Sequence, residues 1–127
     1  MYPRLEINIP KLKHNVSALS DICKTHNLDM AMVTKVYCAM PEVVKEISSD
    51  NVNYLADSRV ENLKNLQDIN IPKILLRIPM LSEIKDVIKY VDISFNSELK
   101  TIYKLNEEAK NQNKVHKIAL MFDLGDL

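Results

Sequence analysis

The chain has 127 residues, of which 46% are hydrophobic and 27% are charged, a composition typical of a folded globular domain rather than a disordered segment. Its 17 basic and 17 acidic side chains balance, so no excess positive charge is available to bind nucleic acid. No apolar run approaches the roughly 20 residues of a membrane-spanning helix, and the N-terminus lacks the apolar segment of a signal peptide, so we expect a cytoplasmic protein without a membrane segment.

The first part of the chain is predicted to form one strand and one helix. Residues Arg4 to Ile9 are predicted as a single extended strand. The next segment, about Pro10 to Thr25, carries apolar side chains at helical spacing and is predicted as an amphipathic helix.

From Met30 onward, short apolar runs alternate with segments of helical periodicity, which indicates a series of βα units. Because the runs are continuously apolar, they suit parallel strands that are covered on both faces. Each helical segment carries one apolar stripe, and the last stripe is Leu99, Ile102 and Tyr103. The five predicted strands lie at residues 30–33, 54–56, 74–76, 91–95 and 118–122.

Local signals predict where two of the helices begin. Pro41 suits the first position of a helix, where its missing N–H is not needed. Ser58, with Glu61 three residues later, has the pattern of a capping box.

Two architectures are built from successive βα units, a closed eight-stranded barrel and an open doubly wound sheet. The spacing of the units alone does not separate them. A leucine-rich repeat would have units of similar length, but its recurring leucine and asparagine pattern is missing from the sequence. We therefore expect an α/β fold of one of the first two kinds.

In both architectures the active site gathers at the carboxyl ends of the strands. The first polar residues after the apolar runs are therefore candidate site residues. The alternative for each is a polar residue that only marks where a strand meets water. These candidates are Lys35, Asp57, Arg77, Asn96 and Asp123.

Lys35 is the candidate with the most specific chemistry. It follows the apolar run and precedes Val36 and Tyr37, so we expect its stem to lie in apolar surroundings. Desolvation lowers the pKa of a lysine, and a deprotonated amine is a nucleophile toward aldehydes. The alternative is a lysine whose stem covers apolar surface while its amine stays in water.

The cysteines and histidines predict neither a metal site nor a disulfide framework. Cys23 and Cys38 form no CxxC pair, and the spacing suggests no thiol or carboxylate partner for His26 or His116. His14, early in the first helix, is interpreted as a surface or packed side chain rather than a general base. No metal is therefore predicted, and reduced thiols fit a cytoplasmic protein.

Short motifs along the whole chain, taken in order, resemble one known family. They are Glu6-Ile7-Asn8-Ile9 with Lys11-Leu12-Lys13-His14-Asn15, then Met32-Val33-Thr34-Lys35, then Ala56-Asp57-Ser58-Arg59-Val60-Glu61-Asn62-Leu63, then Ile74-Leu75-Leu76-Arg77-Ile78-Pro79, and finally Met121-Phe122-Asp123-Leu124-Gly125-Asp126-Leu127. The set resembles the fold type III pyridoxal-phosphate enzymes, and within them the alanine-racemase-like amino-acid racemases.

The resemblance implies a partial TIM-type (β/α) barrel with about its first five βα units, preceded by the N-terminal strand and helix. It implies that pyridoxal 5'-phosphate is the cofactor, that Lys35 holds it covalently, and that the other four strand-end candidates contribute to the cofactor site. One position departs from the family. Alanine racemases carry a tyrosine four residues after the lysine, where this chain has Ala39, while Tyr37 lies two residues after Lys35. The departure favours a divergent member with a different amino-acid substrate.

The implied reaction inverts the α-carbon of an amino acid. It needs an acid and a base on opposite faces of the reacting centre, and the Lys35 amine can serve as only one of them. In the family the second group is a tyrosine of a later β-domain, contributed across a dimer. We therefore expect residues 1–127 to be an N-terminal fragment that lacks the later barrel strands and the β-domain. We expect it to be inactive alone and to self-associate, as a homodimer or otherwise, so that the open sheet edges are covered.

Two other functions stay open at this point. The first is a non-catalytic pyridoxal-phosphate carrier, because small one-domain relatives share the lysine-bearing strand. The second is an α/β scaffold without a ligand, in which Lys35 only ends a strand.

Overall fold

Five parallel strands form one sheet in the computed structural model, which describes residues 3–48 and 52–125. The strands are hydrogen-bonded in chain order, and each pairs in parallel with the next. The predicted series of five strands is thereby confirmed. The strands are β1 (Ala31–Val33), β2 (Tyr54–Asp57), β3 (Lys73–Leu75), β4 (Ile93–Asn96) and β5 (Lys117–Leu120).

Helices precede the sheet and connect its strands. The first, predicted from about Pro10, begins at Ile9 after Asn8, whose side chain accepts a hydrogen bond from the Lys11 amide at 3.0 Å. Pro41 lies in the first turn of the second helix, as predicted. Two short 3-10 helices cover Lys35–Tyr37 and Leu81–Glu83. The α-helices are α1 (Ile9–Thr25), α2 (Pro41–Ile47), α3 (Val60–Asn65), α4 (Ile84–Tyr90) and α5 (Leu99–Asn111).

The strand order separates the two architectures that the spacing left open. A doubly wound sheet reverses its strand order at a switch point, whereas here β1 to β5 follow one another without a reversal. Since parallel crossovers are right-handed, this order places the connecting helices on one face of the sheet. The described residues therefore have the winding of a TIM-type barrel.

The core lies between the sheet and the helices. One cluster of buried side chains surrounds Leu75 and includes Val87, Ile88 and Leu105 from α4 and α5. The other surrounds Leu55 beneath α2 and α3. Both Leu55 and Leu75 are fully buried, so the helix side of the sheet is the packed side.

The opposite face of the sheet is partly open. Val33 in β1 is 40% exposed, and Ala31 and Lys117 are exposed as well. The prediction that all strands are covered on both faces is therefore wrong for β1 and β5. Within the described part of the chain, each of these outer strands pairs with one neighbour only.

Two other sequence predictions are wrong. Residues 3–8 form no strand, because they have no strand partner among the described residues and remain largely in water, with Leu5 71% exposed. In α5 the predicted stripe is also misplaced, since Leu99 and Tyr103 are exposed. The buried line of α5 is instead Thr101, Leu105 and Ala109, spaced four residues apart.

Within residues 3–48 and 52–125, no helix has the length and apolarity that crossing a membrane requires.

Candidate active site

Lys35 lies at the carboxyl end of β1, on the first residue of a 3-10 turn. The side chain is exposed, and its amine has no hydrogen bond or ion pair with any described residue. The predicted apolar surroundings are missing, because the adjacent Val36 is 84% exposed. The amine is therefore accessible to a small molecule.

The turn after Lys35 contains two residues in left-handed conformation. Cys38 has φ +51° and Ala39 has φ +50°, although neither is glycine. Side chains with a Cβ atom are strained in this region. Hydrogen bonds close the turn, from the Ala39 amide to the Thr34 carbonyl at 3.0 Å and from the Cys38 amide to the Lys35 carbonyl at 3.2 Å.

Thr34, the residue before Lys35, is fully buried and points toward the helix layer. Its hydroxyl donates to Oδ2 of Asp57 at 2.8 Å. The pairing of Val33 with Ala56 in the sheet brings the two residues side by side. The turn that carries Lys35 is thereby joined to the next βα junction.

Asp57 ends β2 and is fully buried. Its Oδ1 accepts hydrogen bonds from the Arg59 amide at 2.9 Å and from Asn62 Nδ2 at 3.0 Å. The predicted capping box of Ser58 and Glu61 is wrong, because α3 has Arg59 at its N-cap and no side-chain cap. The Asp57 carboxylate instead turns the chain into α3 through the Arg59 amide.

Tyr37, two residues after Lys35, faces the core. Its ring packs against the core cluster around Leu55, and its hydroxyl is buried without a hydrogen-bond partner among the described residues. Burial raises the pKa of Tyr37, and the negative charge of Asp57 raises it further. Tyr37 therefore stays a protonated, inward-facing side chain.

Arg77 follows β3 and is engaged by its neighbours. Its Nε donates to the Ser58 carbonyl at 2.6 Å, and its guanidinium forms hydrogen bonds of 2.8 and 3.0 Å with Glu83. Arg77 thus connects the junction that holds Asp57 to the start of the next helical segment.

Asn96 ends β4 and is fully buried on the helix side of the sheet. Its Nδ2 donates to the Ser94 hydroxyl at 2.9 Å, and that hydroxyl lies 2.8 Å from His116 Nε2. Since His116 Nδ1 faces the Val91 carbonyl at 3.1 Å, Nδ1 carries the proton of the neutral ring. Burial lowers the pKa of His116, partly offset by the Val91 hydrogen bond and the charge of Asp92. The Asn96 Oδ1 atom is buried without a partner among the described residues.

Asp123 lies beyond β5 and is exposed. Its Oδ1 accepts a hydrogen bond from the Gly125 amide at 2.7 Å, in a turn where Gly125 has φ +86°. Residues 126 and 127, which complete the last motif, lie outside the described part of the chain.

The five predicted site residues fall into two groups. The first group lies along the carboxyl ends of β1 to β3 and consists of Lys35, Asp57 and Arg77. The hydroxyl of Thr34, the residue before Lys35, bonds to Asp57. Arg77 bonds to the carbonyl of Ser58, the residue after Asp57. No described hydrogen bond connects Asn96 or Asp123 to them. Lys35 and Asp123 are exposed, Arg77 is partly exposed, and Asp57 and Asn96 are fully buried. Thr34 and Glu83 are not among the residues predicted from the sequence, although a hydroxyl at the end of an apolar run is a signal for Thr34.

Solved structures share this fold. The chain matches a D-threonine aldolase from Filomicrobium marinum with a TM-score of 0.81 and 11% identity, covering 98% of this chain and 35% of that one. It matches an alanine racemase from Clostridium difficile 630 with a TM-score of 0.75 and 23% identity, covering 94% of this chain and 31% of that one. Both similarities concern the fold alone.

At the sequence level the chain is 50% identical to an ornithine racemase from Acetoanaerobium sticklandii over 127 residues. The alignment covers 100% of this chain and 36% of that relative, so the chain spans about a third of its length. Residues 7–127 match the family described as alanine racemase, N-terminal domain. The chain therefore belongs to the alanine racemase N-terminal domain family.

Proposed function

We propose that this chain is the N-terminal barrel segment of a pyridoxal-phosphate-dependent amino-acid racemase, in which Lys35 holds the cofactor. The observation that carries the proposal is the exposed Lys35 amine, without a hydrogen bond or ion pair to any described residue, at the carboxyl end of the first strand. Membership of the alanine racemase N-terminal domain family supports it. The 50% identity to an ornithine racemase supports ornithine as the substrate.

The chemistry of this end of the sheet fits the cofactor at one point, the primary amine of Lys35. Its Nζ would hold the aldehyde carbon covalently, with loss of one water. Pyridoxal phosphate, when bound, supplies an electron sink that makes the α-proton of an amino acid removable. The Lys35 amine would also be able to hold or deliver one proton at Nζ.

The other predicted cofactor contacts receive different roles in the proposal. Asp57 and Arg77 would stabilise the loops of the site without contacting the cofactor, because their polar groups are already hydrogen-bonded within the chain. Asn96 would do the same for β4. Asp123 keeps an exposed carboxylate, so it remains the candidate for direct contact with the bound molecules.

The second proton-transfer group is proposed to lie outside these residues. Inversion needs a group on the face opposite Lys35, and neither Tyr37 nor Asp57 is available for this role. The Tyr37 hydroxyl faces the core, and the Asp57 carboxylate is buried with three hydrogen-bond donors. We therefore propose that residues 1–127 are the front part of a longer barrel enzyme and do not racemise amino acids alone.

The assembly and location of the protein are also proposals. Among the described residues, the outer strands β1 and β5 each leave one edge without a strand partner, and such edges favour self-association. We propose on this ground that residues 1–127, when alone, self-associate as a homodimer or otherwise. The free cysteines Cys23 and Cys38 are consistent with a cytoplasmic location.

A chimaera tests the proposed function directly. Residues 1–127 replace the matching 36% of the Acetoanaerobium sticklandii ornithine racemase, and D-ornithine formed from L-ornithine is measured by chiral chromatography. We expect racemisation in the chimaera, its loss in Lys35→Ala, and its retention in Lys45→Ala, which removes another exposed lysine.

Two outcomes would contradict the proposal. A chimaera that folds and binds pyridoxal phosphate without racemising ornithine would favour the non-catalytic carrier instead. D-ornithine formed by residues 1–127 alone would show that the second proton-transfer group is within the chain.

A further inference from the structure

We propose that Asp57 is a positioning residue, whose buried carboxylate acts through the Thr34 hydroxyl to fix the turn that presents Lys35. The inference rests on the proposed function of Lys35 and adds a residue that does not itself contact the cofactor. It is carried by the hydrogen bonds around Thr34, by the burial of the Asp57 carboxylate and by the backbone strain of the turn.

Thr34 is bonded through all its polar groups. Its amide donates to the Ala56 carbonyl at 2.9 Å, and its carbonyl accepts from the Ala39 amide at 3.0 Å. Its hydroxyl donates to Asp57 Oδ2 at 2.8 Å and lies 3.3 Å from the Ala56 carbonyl. The residue before Lys35 is therefore held by β2 on one side and closes the Lys35 turn on the other.

Thr34 is the side chain that donates to Asp57 Oδ2 in the structure. The Oδ1 atom of Asp57 is occupied by the Arg59 amide and Asn62 Nδ2, while Oδ2 is bonded to Thr34. No described cation pairs with this carboxylate. Tyr37 has a buried hydroxyl near Asp57, but that hydroxyl makes no hydrogen bond. Removal of the Thr34 hydroxyl would leave a buried carboxylate oxygen without its donor, which is costly.

The strain in the turn explains why this connection matters. Two consecutive residues, Cys38 and Ala39, have left-handed backbone conformations, which persist only where the surroundings hold them. Ala39 is held by the Thr34 carbonyl and by complete burial of its methyl group. If Thr34 shifts, the turn can relax, and the direction of the Lys35 side chain changes with it.

The test compares Thr34→Val, Thr34→Ser and Thr101→Val in the 127-residue chain. Thr34→Val keeps the shape of the side chain and removes the hydroxyl, whereas Thr34→Ser keeps the hydroxyl. Thr101→Val makes the same substitution at a buried threonine in α5, away from Lys35. Two readouts are measured: hydrogen exchange of the Ala39 amide, and the initial rate at which borohydride traps added pyridoxal phosphate on Lys35.

We expect Thr34→Val to speed exchange at Ala39 and slow trapping at Lys35 by about tenfold each, the scale for losing one charge-assisted hydrogen bond. In Thr34→Ser and Thr101→Val, both rates should stay within about twofold of those of the unmodified chain, because both variants keep the hydrogen bond from residue 34 to Asp57. If Thr34→Val does not fold, Asn62→Ala, which removes a donor from the other Asp57 oxygen, should change both readouts in the same direction.

Two results would overturn the positioning role of Asp57. The first is that Thr34→Val and Thr101→Val have equal exchange and trapping rates. The second is that Thr34→Ser changes these rates as much as Thr34→Val does. Absence of Lys35 trapping in the unmodified chain would instead contradict the proposed function. In that case the exchange of the Ala39 amide, which needs no cofactor, still decides whether Asp57 fixes the turn.

Discussion

The guanidinium of Arg77 holds the carboxylate of Glu83 through hydrogen bonds of 2.8 and 3.0 Å. Glu83 also accepts a hydrogen bond from the Met80 amide at 3.1 Å. Both side chains are largely shielded, with 30% and 14% exposure. Because Arg77 also donates to the Ser58 carbonyl, this ion pair joins the segments that follow β2 and β3.

Replacement of Glu83 should therefore destabilise the fold. We expect Glu83→Gln to lower the free energy of unfolding by about 1–2 kcal/mol, since hydrogen bonds to charged groups are lost in a shielded site. Glu107→Gln is the matched control, because Glu107 pairs with Lys104 on the surface, where ion pairs contribute about 0–1 kcal/mol. Urea unfolding of both variants measures the difference, and equal losses would contradict the role given to Arg77 and Glu83.

The strain at Cys38 predicts a stabilising substitution. Cys38 is exposed and has φ +51°, so glycine relieves the backbone strain without removing core packing. We expect Cys38→Gly to raise the free energy of unfolding by about 1 kcal/mol. Asn113→Gly is the control, since Asn113 has the same φ and asparagine tolerates it better. A loss of stability in Cys38→Gly would show that this turn is not strained.

His116 predicts a dependence of stability on pH. Burial lowers its pKa in the folded chain below the ordinary value of 6.5, so below pH 6.5 the unfolded chain binds more protons than the folded chain. The contribution of His116 to the free energy of unfolding should therefore be constant above the pKa that His116 has in the unfolded chain. This contribution should fall as the pH drops from there toward the pKa in the folded chain. Urea unfolding at pH 7.5 and 5.5 should show a smaller pH effect in His116→Gln than in the unmodified chain. An unchanged pH effect would contradict the assignment.

The core around Leu75 predicts a large effect of truncation. Leu75 is fully buried among side chains of α4 and α5, so Leu75→Ala leaves a cavity and should cost about 3 kcal/mol. Leu99→Ala is the matched control, because Leu99 is 62% exposed in α5. Thermal unfolding of the two variants compares them. A loss in Leu99→Ala as large as in Leu75→Ala would place the apolar stripe of α5 where the sequence pattern predicted it.

The strands and most of the helices could be predicted because they depend on local patterns. The apolar run before Lys35 and the proline at position 41 each indicate their element without help from distant residues. The buried face of α5 could not be predicted, since Thr101 and Ala109 line it while the more apolar Leu99 faces water. Burial there depends on how the helix packs on the sheet, which a local pattern does not determine.

The candidate site was only partly predictable for the same reason. Lys35 could be placed at a strand end, but the turn that follows it has left-handed residues that are not glycine, so no local signal marks this turn. The connection of Thr34 to Asp57 depends on the register of β1 and β2. Likewise, the pairing of Arg77 with Glu83 spans six residues outside a regular helix.

The role of Lys35 as the residue that holds the cofactor is tested most directly by mapping where pyridoxal phosphate binds covalently. The 127-residue chain is mixed with the cofactor and reduced with borohydride, and the labelled peptides are identified by mass spectrometry. We predict preferential labelling of Lys35 at low cofactor concentration, and loss of that label in Lys35→Ala with no gain at Lys45. Label spread over the surface lysines, with Lys35 no more modified than Lys45, would contradict this role.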